Sequence, residues 1–455
     1  MVSTGHSGAG SSEAARLLRG GKTIWWWAVA GALAIALALR VGLVLATPHL
    51  PLVNDPADYQ RLAVSIAHGH GYGRSAVAPA GGPSAFRPPL YPYLLGWFYW
   101  LVGVHRGAAR IVQAVIGTGT VALVGALAHR FWGRAAALAA LAIAALYPPL
   151  WLAGGQMLSE SVALPLELGA VLAALASGRS ARRWAWLLAA GVMTGMGILD
   201  RPDSAVLLAP VVLLARPLLP FSWRRWAAGS ALVVVAAGLV LVPWLVRDAR
   251  VMGHFVPLTT QAGLVASGTY NDTAAHDRLH PAAWRPTNFV PEYVPLIRGD
   301  EYHLERALRT AAVDYARAHP GYVARVVYWN LRRLFETTGP SQTRASWQAN
   351  GYSPGWADLA FTGFWVVAAL AVIGAATGAG RAPPAVWLVP VLLVVVTVPL
   401  LGESRLRLGI DPFLALLAGP GLLAVAAAGR AALVRWAGPH ASTVPSGPAG
   451  GAGPP

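Results

Sequence analysis

The chain has 455 residues, 56% hydrophobic and 12% charged, with a formal net charge of +16. Soluble domains carry about 25% charged residues, and a transmembrane barrel would show alternating segments of about 10 residues; neither pattern is present, whereas several apolar runs are long enough to cross ~30 Å of hydrocarbon. The sequence contains no cysteine, which excludes disulfides, thiolate metal sites and thiol nucleophiles.

Residues 1–23 begin Gly/Ser-rich and are expected to be a disordered cytoplasmic terminus. Arg16, Arg19 and Lys22 precede the first apolar run, Ile24–Ala46, which has the length of a retained span. Trp25, Trp26 and Trp27 stand at its start, where indoles favour the headgroup region.

Directly after this span comes Asn54-Asp55-Pro56-Ala57-Asp58-Tyr59. Asp55 is suited to cap a short helix, with Pro56 at its first position. Tyr59, Leu62, Ala63 and Ile66 share one face while Asp58, Arg61, Ser65 and His68 lie on others, the pattern of a helix resting on a bilayer surface. A run with Gly69, Gly71, Gly73, Gly81 and Gly82 follows, expected to be mobile, and then Phe86-Arg87-Pro88-Pro89-Leu90-Tyr91-Pro92 opens an apolar helix over 90–103. That helix is about 20 Å long at 1.5 Å per residue, short for a crossing.

The arginines set the topology. If 90–103 stays at the surface, spans follow at 108–128, 135–150, 157–177, 184–199, 204–216, 227–246, 357–378, 385–402 and 408–428. The loops with Arg130 and Arg134, with Arg179, Arg182 and Arg183, and with Arg216, Arg224 and Arg225 then fall inside, together with Arg381, Arg430 and Arg435, as positive-inside bias requires. The expected fold is therefore an all-α polytopic bundle of about ten transmembrane helices. Residues 24–246 form the transmembrane catalytic module with an external loop at 47–107. Residues 247–355 form an external hydrophilic segment, 356–430 the C-terminal transmembrane helices, and 431–455 a disordered cytoplasmic tail. Within 247–355, Asp300–His319 and Tyr322–Phe335 read as helices and 252–295 as irregular, being rich in Pro, Gly, Asn and Thr.

Against this apolar background the polar residues at outer span ends carry the candidate chemistry. Asp55 and Asp58 are a helix cap and a first-turn carboxylate, or a general base or metal ligand facing the outer leaflet; three residues apart on a helix, both can approach one site. Arg87 either snorkels to the interface or binds a phosphate, for which a guanidinium fork is suited. Glu160, among apolar and small neighbours at the start of a span, is a functional candidate by its placement. Arg201 sits in the outer turn Asp200-Arg201-Pro202-Asp203, where a local ion pair explains it equally well. Arg247, Arg405 and Arg407 lie at outer junctions against the positive-inside bias; ordinary headgroup contact or a lipid phosphate accounts for them. The histidine pairs His68/His70 and His276/His280 have no carboxylate at a metal-motif spacing. No cofactor is required by the sequence, and a divalent metal stays open.

Taken in order, Asp55-x-x-x-Tyr59, Arg87-Pro88-Pro89-Leu90-Tyr91-Pro92, Ser159-Glu160, Pro243-Trp244-x-x-Arg247 and Arg405-x-Arg407 before Asp411-Pro412 resemble the family C glycosyltransferases (GT-C), in particular the protein O-mannosyltransferase and lipid A aminoarabinose transferase group. The resemblance implies a multi-pass enzyme of the cytoplasmic membrane with its active site facing outside. It also implies a polyprenyl-phosphate sugar donor, a glycan, lipid or protein hydroxyl as acceptor, and no nucleic-acid partner. It carries the catalytic carboxylate onto Asp55, with Asp58 and Glu160 as further candidates. Substrate binding goes to Tyr59, Arg87, Tyr91, Arg201, Arg247, Arg405 and Arg407. The aminoarabinose transferases have lysine where this chain has Arg87. A transporter or lipid flippase, and a non-catalytic envelope-assembly scaffold, are the competing readings.

Overall fold

A computed structural model describes residues 8–73, 84–216, 222–297 and 300–437. Gly81 and Gly82 of the glycine run, and the ends 1–7 and 438–455 of the two expected disordered termini, lie outside the described residues. The described residues are helical throughout, without strands. In chain order the helices are α1 (Gly8–Ala46), α2 (Asp55–Ala67), α3 (Leu90–Val102), α4 (Arg106–Trp132), α5 (Arg134–Leu146), α6 (Pro148–Gly155), α7 (Glu160–Ser177), α8 (Arg183–Asp200), α9 (Leu208–Leu214) and α10 (Trp223–Met252). Then come α11 (Gln261–Thr269), α12 (Asp272–His276), α13 (Glu301–Ala318), α14 (Pro320–Leu334), α15 (Pro340–Gln348), α16 (Pro354–Gly378), α17 (Pro384–Thr397) and α18 (Asp411–Ala437).

Six of these helices are long and apolar enough to cross a membrane, and a seventh crossing arises if α5 and α6, bent by 48° at Tyr147, are counted as one. The chain is a multi-pass membrane protein. The other three expected spans fall on α8, on the single turn Pro202–Leu207 continued by α9, and on α17; the last two are short. The two terminal helices run past the apolar spans. Helix α1 begins at Gly8, inside the stretch expected to be disordered, and α18 runs to Ala437, beyond 430. Both extensions are built from strong helix formers (Glu13-Ala14-Ala15-Arg16-Leu17-Leu18 and Ala431-Ala432-Leu433), whose propensity carries the helix past the apolar run.

Helix α7 is the centre of the bundle. Its most apolar stretch is 72% buried, against 22% for α1 and 28% for α10 and α16. Without a hydrophobic driving force in lipid, close backbone approach at small residues replaces it. Gly191 and Gly195 of α8 lie so near α10 that an added Cβ would stand 2.6 Å and 2.8 Å from the Val233 and Ala237 carbonyl oxygens. Between α16 and α18 the fit is tighter still: a Cβ on Gly374 would meet the Leu417 carbonyl oxygen at 1.8 Å, and one on Gly421 the Leu370 oxygen at 1.9 Å.

Helix α2 packs on α3 through Gly96, where a Cβ would lie 2.7 Å from Ile66. Tyr59, Leu62 and Ala63 are buried as the pattern predicts, but so is Asp58, on what was expected to be a polar face. The hydrophilic segment between α10 and α16 has its own small cores, around Tyr270, Ala312, Tyr322 and Val326, and around Val290, Tyr293, Leu304 and Leu308. Its expected irregular stretch 252–295 contains α11 and α12. The Asn271 side chain, accepting from the Ala274 N–H at 2.7 Å, caps α12 and overrides the weak local propensity.

Candidate active site

The site lies where the N-terminus of α2, the loop before α3, the N-terminus of α7, the turn after α8 and the Ser404–Gly409 turn before α18 meet. Asp55 is the first residue of α2. The residue before it, Asn54, has φ 54° and ψ −124° and makes no side-chain cap bond; its amide instead donates to the Ala349 carbonyl at 3.2 Å. A non-glycine residue held at positive φ costs on the order of 1–3 kcal/mol and persists only where its surroundings impose it. Here it turns the chain so that Asp55 leaves the helix axis. The Asp55 carboxylate does not cap α2; it lies between two arginines, 2.8 Å from Arg87 Nη2 and 2.7 Å from Arg405 Nη1.

From Asp55 an alternating row extends both ways. Arg87 Nε reaches Asp58 Oδ2 at 2.7 Å. Arg405 Nε reaches Glu160 Oε1 at 2.9 Å, and the same oxygen accepts from Arg201 Nη1 at 2.7 Å. Arg201 in turn holds Asp203 at 2.8 Å. The row Asp58–Arg87–Asp55–Arg405–Glu160–Arg201–Asp203 has four carboxylates and three guanidinia, and the exposed Arg61, 4.0 Å from Asp58, brings the charges level. It is not uniformly accessible. The Asp58 and Glu160 side chains are 2% and 3% exposed, whereas Asp55 is 27% exposed. Burial would raise the Asp55 carboxyl, but Arg87 and Arg405 outweigh it and hold it well below the usual carboxylate range.

Aromatic residues wall the Arg87 end. Arg87 lies over the Tyr59 and Phe86 rings, 5.4 Å and 4.9 Å from their centroids, and Tyr59 meets Tyr91 edge-on at 5.0 Å. Burial pushes the Tyr59 phenol up to about 12, with Arg87 opposing and Asp55 and Glu160 adding, so its hydroxyl keeps its proton; it donates to Ser159 Oγ at 3.4 Å. Gln113 Nε2 donates to Tyr91 Oη at 2.9 Å and to Ser161 Oγ at 2.6 Å.

Of the candidates read from the sequence, the structure therefore gathers Asp55, Asp58, Tyr59, Arg87, Tyr91, Glu160, Arg201 and Arg405. Arg247 is adjacent: its guanidinium stacks over Tyr72 at 5.1 Å and Trp244 at 4.6 Å and bonds Asp248 and the Ser84 carbonyl. The Tyr72 hydroxyl donates to the Arg87 carbonyl at 2.6 Å. Arg407 is elsewhere. It is fully buried, on Asp411 at 2.8 Å and Glu336 at 3.1 Å, with the Phe364 ring 3.7 Å below it. In the 3-10 turn Ser404–Gly409, with about 3 residues per turn, residues two apart lie about 120° apart, and Arg405 and Arg407 meet different partners.

Among the buried carboxylates, Glu167 and Glu301 were not singled out by the sequence. Glu167, which accepts from Ser204 Oγ at 3.1 Å, lies inside an apolar run that reads as a span; Asp200, in the expected outer turn, is the last residue of α8 and fully buried. Glu301 is more telling: it accepts from Ser84 Oγ at 2.6 Å, the Ala85 N–H at 2.8 Å and Thr260 Oγ1 at 2.6 Å, and so pins the backbone that presents Arg87 to the hydrophilic segment. Its partners are more than 200 residues distant along the chain for Ser84 and Ala85, a separation with no local signature.

A divalent cation does not fit the row as it stands. Each of its carboxylates has a guanidinium against it, and among the described residues no three His, Asp or Glu side chains are placed to share an ion.

A family model described as dolichyl-phosphate-mannose-protein mannosyltransferase matches residues 86–246, the stretch that holds Arg87, Tyr91, Glu160 and Arg201. An undecaprenyl phosphate-alpha-4-amino-4-deoxy-L-arabinose arabinosyl transferase of Pseudomonas aeruginosa is 32% identical over 160 residues, 32% of this chain and 29% of that protein. The chain resembles the family C glycosyltransferases. Among solved structures, the archaeal oligosaccharyltransferase AglB of Archaeoglobus fulgidus, in complex with an inhibitory peptide and a dolichol-phosphate, superposes with a TM-score of 0.54 over 92% of this chain at 16% identity. The same organism's oligosaccharyltransferase tethered to an acceptor peptide gives 0.52 over 88% at 16% identity. These likenesses show a shared fold. The chain spans 52% of the first of those structures and under a third of the curated relative.

Proposed function

We propose that this protein is a membrane glycosyltransferase that moves a sugar from a polyprenyl-phosphate donor to an acceptor hydroxyl on the outer face of the cytoplasmic membrane, in the assembly of envelope glycan or glycolipid. The observation that carries the reading is Asp55: of the three candidate catalytic carboxylates it alone is open to solvent, and it sits between two arginines. Paired in this way it is a poor base, because its proton affinity is suppressed. A phosphate is a better partner for guanidinium forks. The donor phosphate therefore takes Arg87 and Arg405 from Asp55, and the freed carboxylate regains basicity. The acceptor hydroxyl gives its proton to Asp55 while its oxygen attacks the anomeric carbon. The bond from that carbon to the phosphate oxygen breaks, and the arginines stabilise the charge on the departing polyprenyl phosphate. Arg87 keeps Asp58, and Arg405 keeps Glu160, throughout the exchange. Tyr59 stays protonated and lines the pocket.

The same reading takes ten crossings with both termini inside, from the basic loops; a reporter fused after Thr273 is active only outside. The deciding assay uses membranes holding the full chain and a panel of radiolabelled polyprenyl-phosphate sugars. Release of polyprenyl phosphate with label passing to an acceptor supports the reading. Movement of an intact donor between leaflets, without cleavage, identifies a flippase and refutes it.

A further inference from the structure

Helix α1 carries a guanidinium inside the membrane that the site above does not use. Arg40 lies six residues before the end of the Thr23–Ala46 span, about 9 Å along a helix axis, and is 2% exposed. Its Nη1 donates to the Ala36 carbonyl of its own helix at 3.0 Å. Its Nε is enclosed and has no partner, and among the described residues no carboxylate is within ion-pairing reach of it. Arginine stays protonated in proteins, and an ion buried without a counter-charge is strongly unfavourable.

Arg40 faces a cavity that also touches Thr120, Gly154, Ser161 and Glu160. Thr120 Oγ1 is likewise enclosed and unpartnered. Gly117 makes room for the guanidinium, since a Cβ there would lie 3.1 Å from Arg40 Nε. Gly154 is buried, yet a Cβ added to it would meet nothing within 4 Å; open space persists beside its backbone. Ser161 has no donor to spare, its hydroxyl being committed to the Leu158 carbonyl at 2.5 Å. The Glu160 charge is already compensated by Arg405 and Arg201. The space is small, with room for one occupant.

We propose that this cavity binds a single halide-sized monovalent anion, held by Arg40 and Thr120. Such an ion accepts from both orphaned donors and supplies the missing counter-charge, whereas a water supplies only the first. It also keeps the Arg40 charge from acting on Glu160, so that Glu160 belongs electrostatically to Arg405 and Arg201 alone. The inference stands independently of the transferase reading.

The test is thermal unfolding of the purified full-length protein while chloride or bromide replaces gluconate at constant ionic strength. A saturable stabilisation by halide is expected in the wild type, with half-saturation raised tenfold or more in Arg40→Met and in Gly154→Ala. The second variant removes no charge and meets no atom, so it decides the matter even if the first fails to insert. Superimposable halide and gluconate curves in the wild type mean a water occupant and overturn the proposal. So does a halide response that Gly154→Ala leaves unchanged.

Discussion

Replacing Asp55 by asparagine separates the catalytic role from every structural one, because the two observables move in opposite directions. On the proposed function, the carboxylate, 2.8 Å and 2.7 Å from Arg87 and Arg405, competes with the donor phosphate for them. Each charge-assisted bond is worth roughly 1.5–3 kcal/mol, and the 27% exposure of Asp55 places these pairs at the low end. The single carbonyl oxygen of asparagine still accepts from one of the two arginines, so the competition lost is one bond, about 1.5 kcal/mol, or about tenfold in affinity. Asp55→Asn should therefore tighten polyprenyl-phosphate binding about tenfold while slowing transfer by about 10²-fold or more. Asparagine is nearly isosteric and the two arginines retain Asp58 and Glu160, so expression and unfolding temperature should hold. Binding is read by equilibrium titration of the detergent-solubilised protein with polyprenyl phosphate, and turnover by label transfer in membranes. A variant that binds the lipid phosphate more weakly than wild type, or transfers at near wild-type rate, refutes the exchange of Asp55 for phosphate.

Because the Asp55 pKa is depressed in the fold, the stabilisation from its ion pairs is complete above the unfolded carboxylate value of about 3.9 and is lost only as pH falls through the lower folded value. Lipid-phosphate binding by the free protein should accordingly show no acid limb from Asp55 between about pH 5 and 8, which a pH series of the same titration checks. Glu301→Ala should release the Ser84-Ala85 backbone and raise the donor KM several-fold with kcat for bound donor changed less, since Glu301 positions Arg87 and touches no substrate; an equal loss in both parameters contradicts this. Arg407→Met should lower the unfolding temperature sharply, because breaking a buried pair costs about 3–5 kcal/mol and here leaves Glu336 and Asp411 without their shared cation; full stability with lost transfer would instead move Arg407 into the site.

The sequence made most of the row legible because charge is scarce in this chain. A carboxylate or guanidinium between apolar runs stands out, and Asp55, Arg87, Glu160, Arg201 and Arg405 were each found that way. What it concealed has two physical origins. Turn geometry decides which of two nearby arginines faces the site, and Arg405 and Arg407 are indistinguishable until the Ser404–Gly409 turn is seen. Long-range contacts leave no periodic trace, so Glu301, on the first turn of an ordinary amphipathic helix, gave no hint that it braces Arg87. Helix existence was clear for the long apolar runs, whereas the α5–α6 bend and the short α9 and α17 depend on packing against α7 and its neighbours, which hydropathy does not encode.

Arg405 joins the row from near the C-terminal end of the chain, beyond the last two apolar helices but one. Until that turn has been synthesised and inserted, Asp58, Asp55, Glu160 and Asp203 have Arg61, Arg87 and Arg201 but lack Arg405. A nascent chain therefore holds one negative charge in excess there, and lacks the second arginine that, on the proposed function, the donor phosphate takes from Asp55. Assembly order thus doubles as a safeguard: competence to engage an anionic lipid arrives only with the final hairpin, when the bundle around the site is closing.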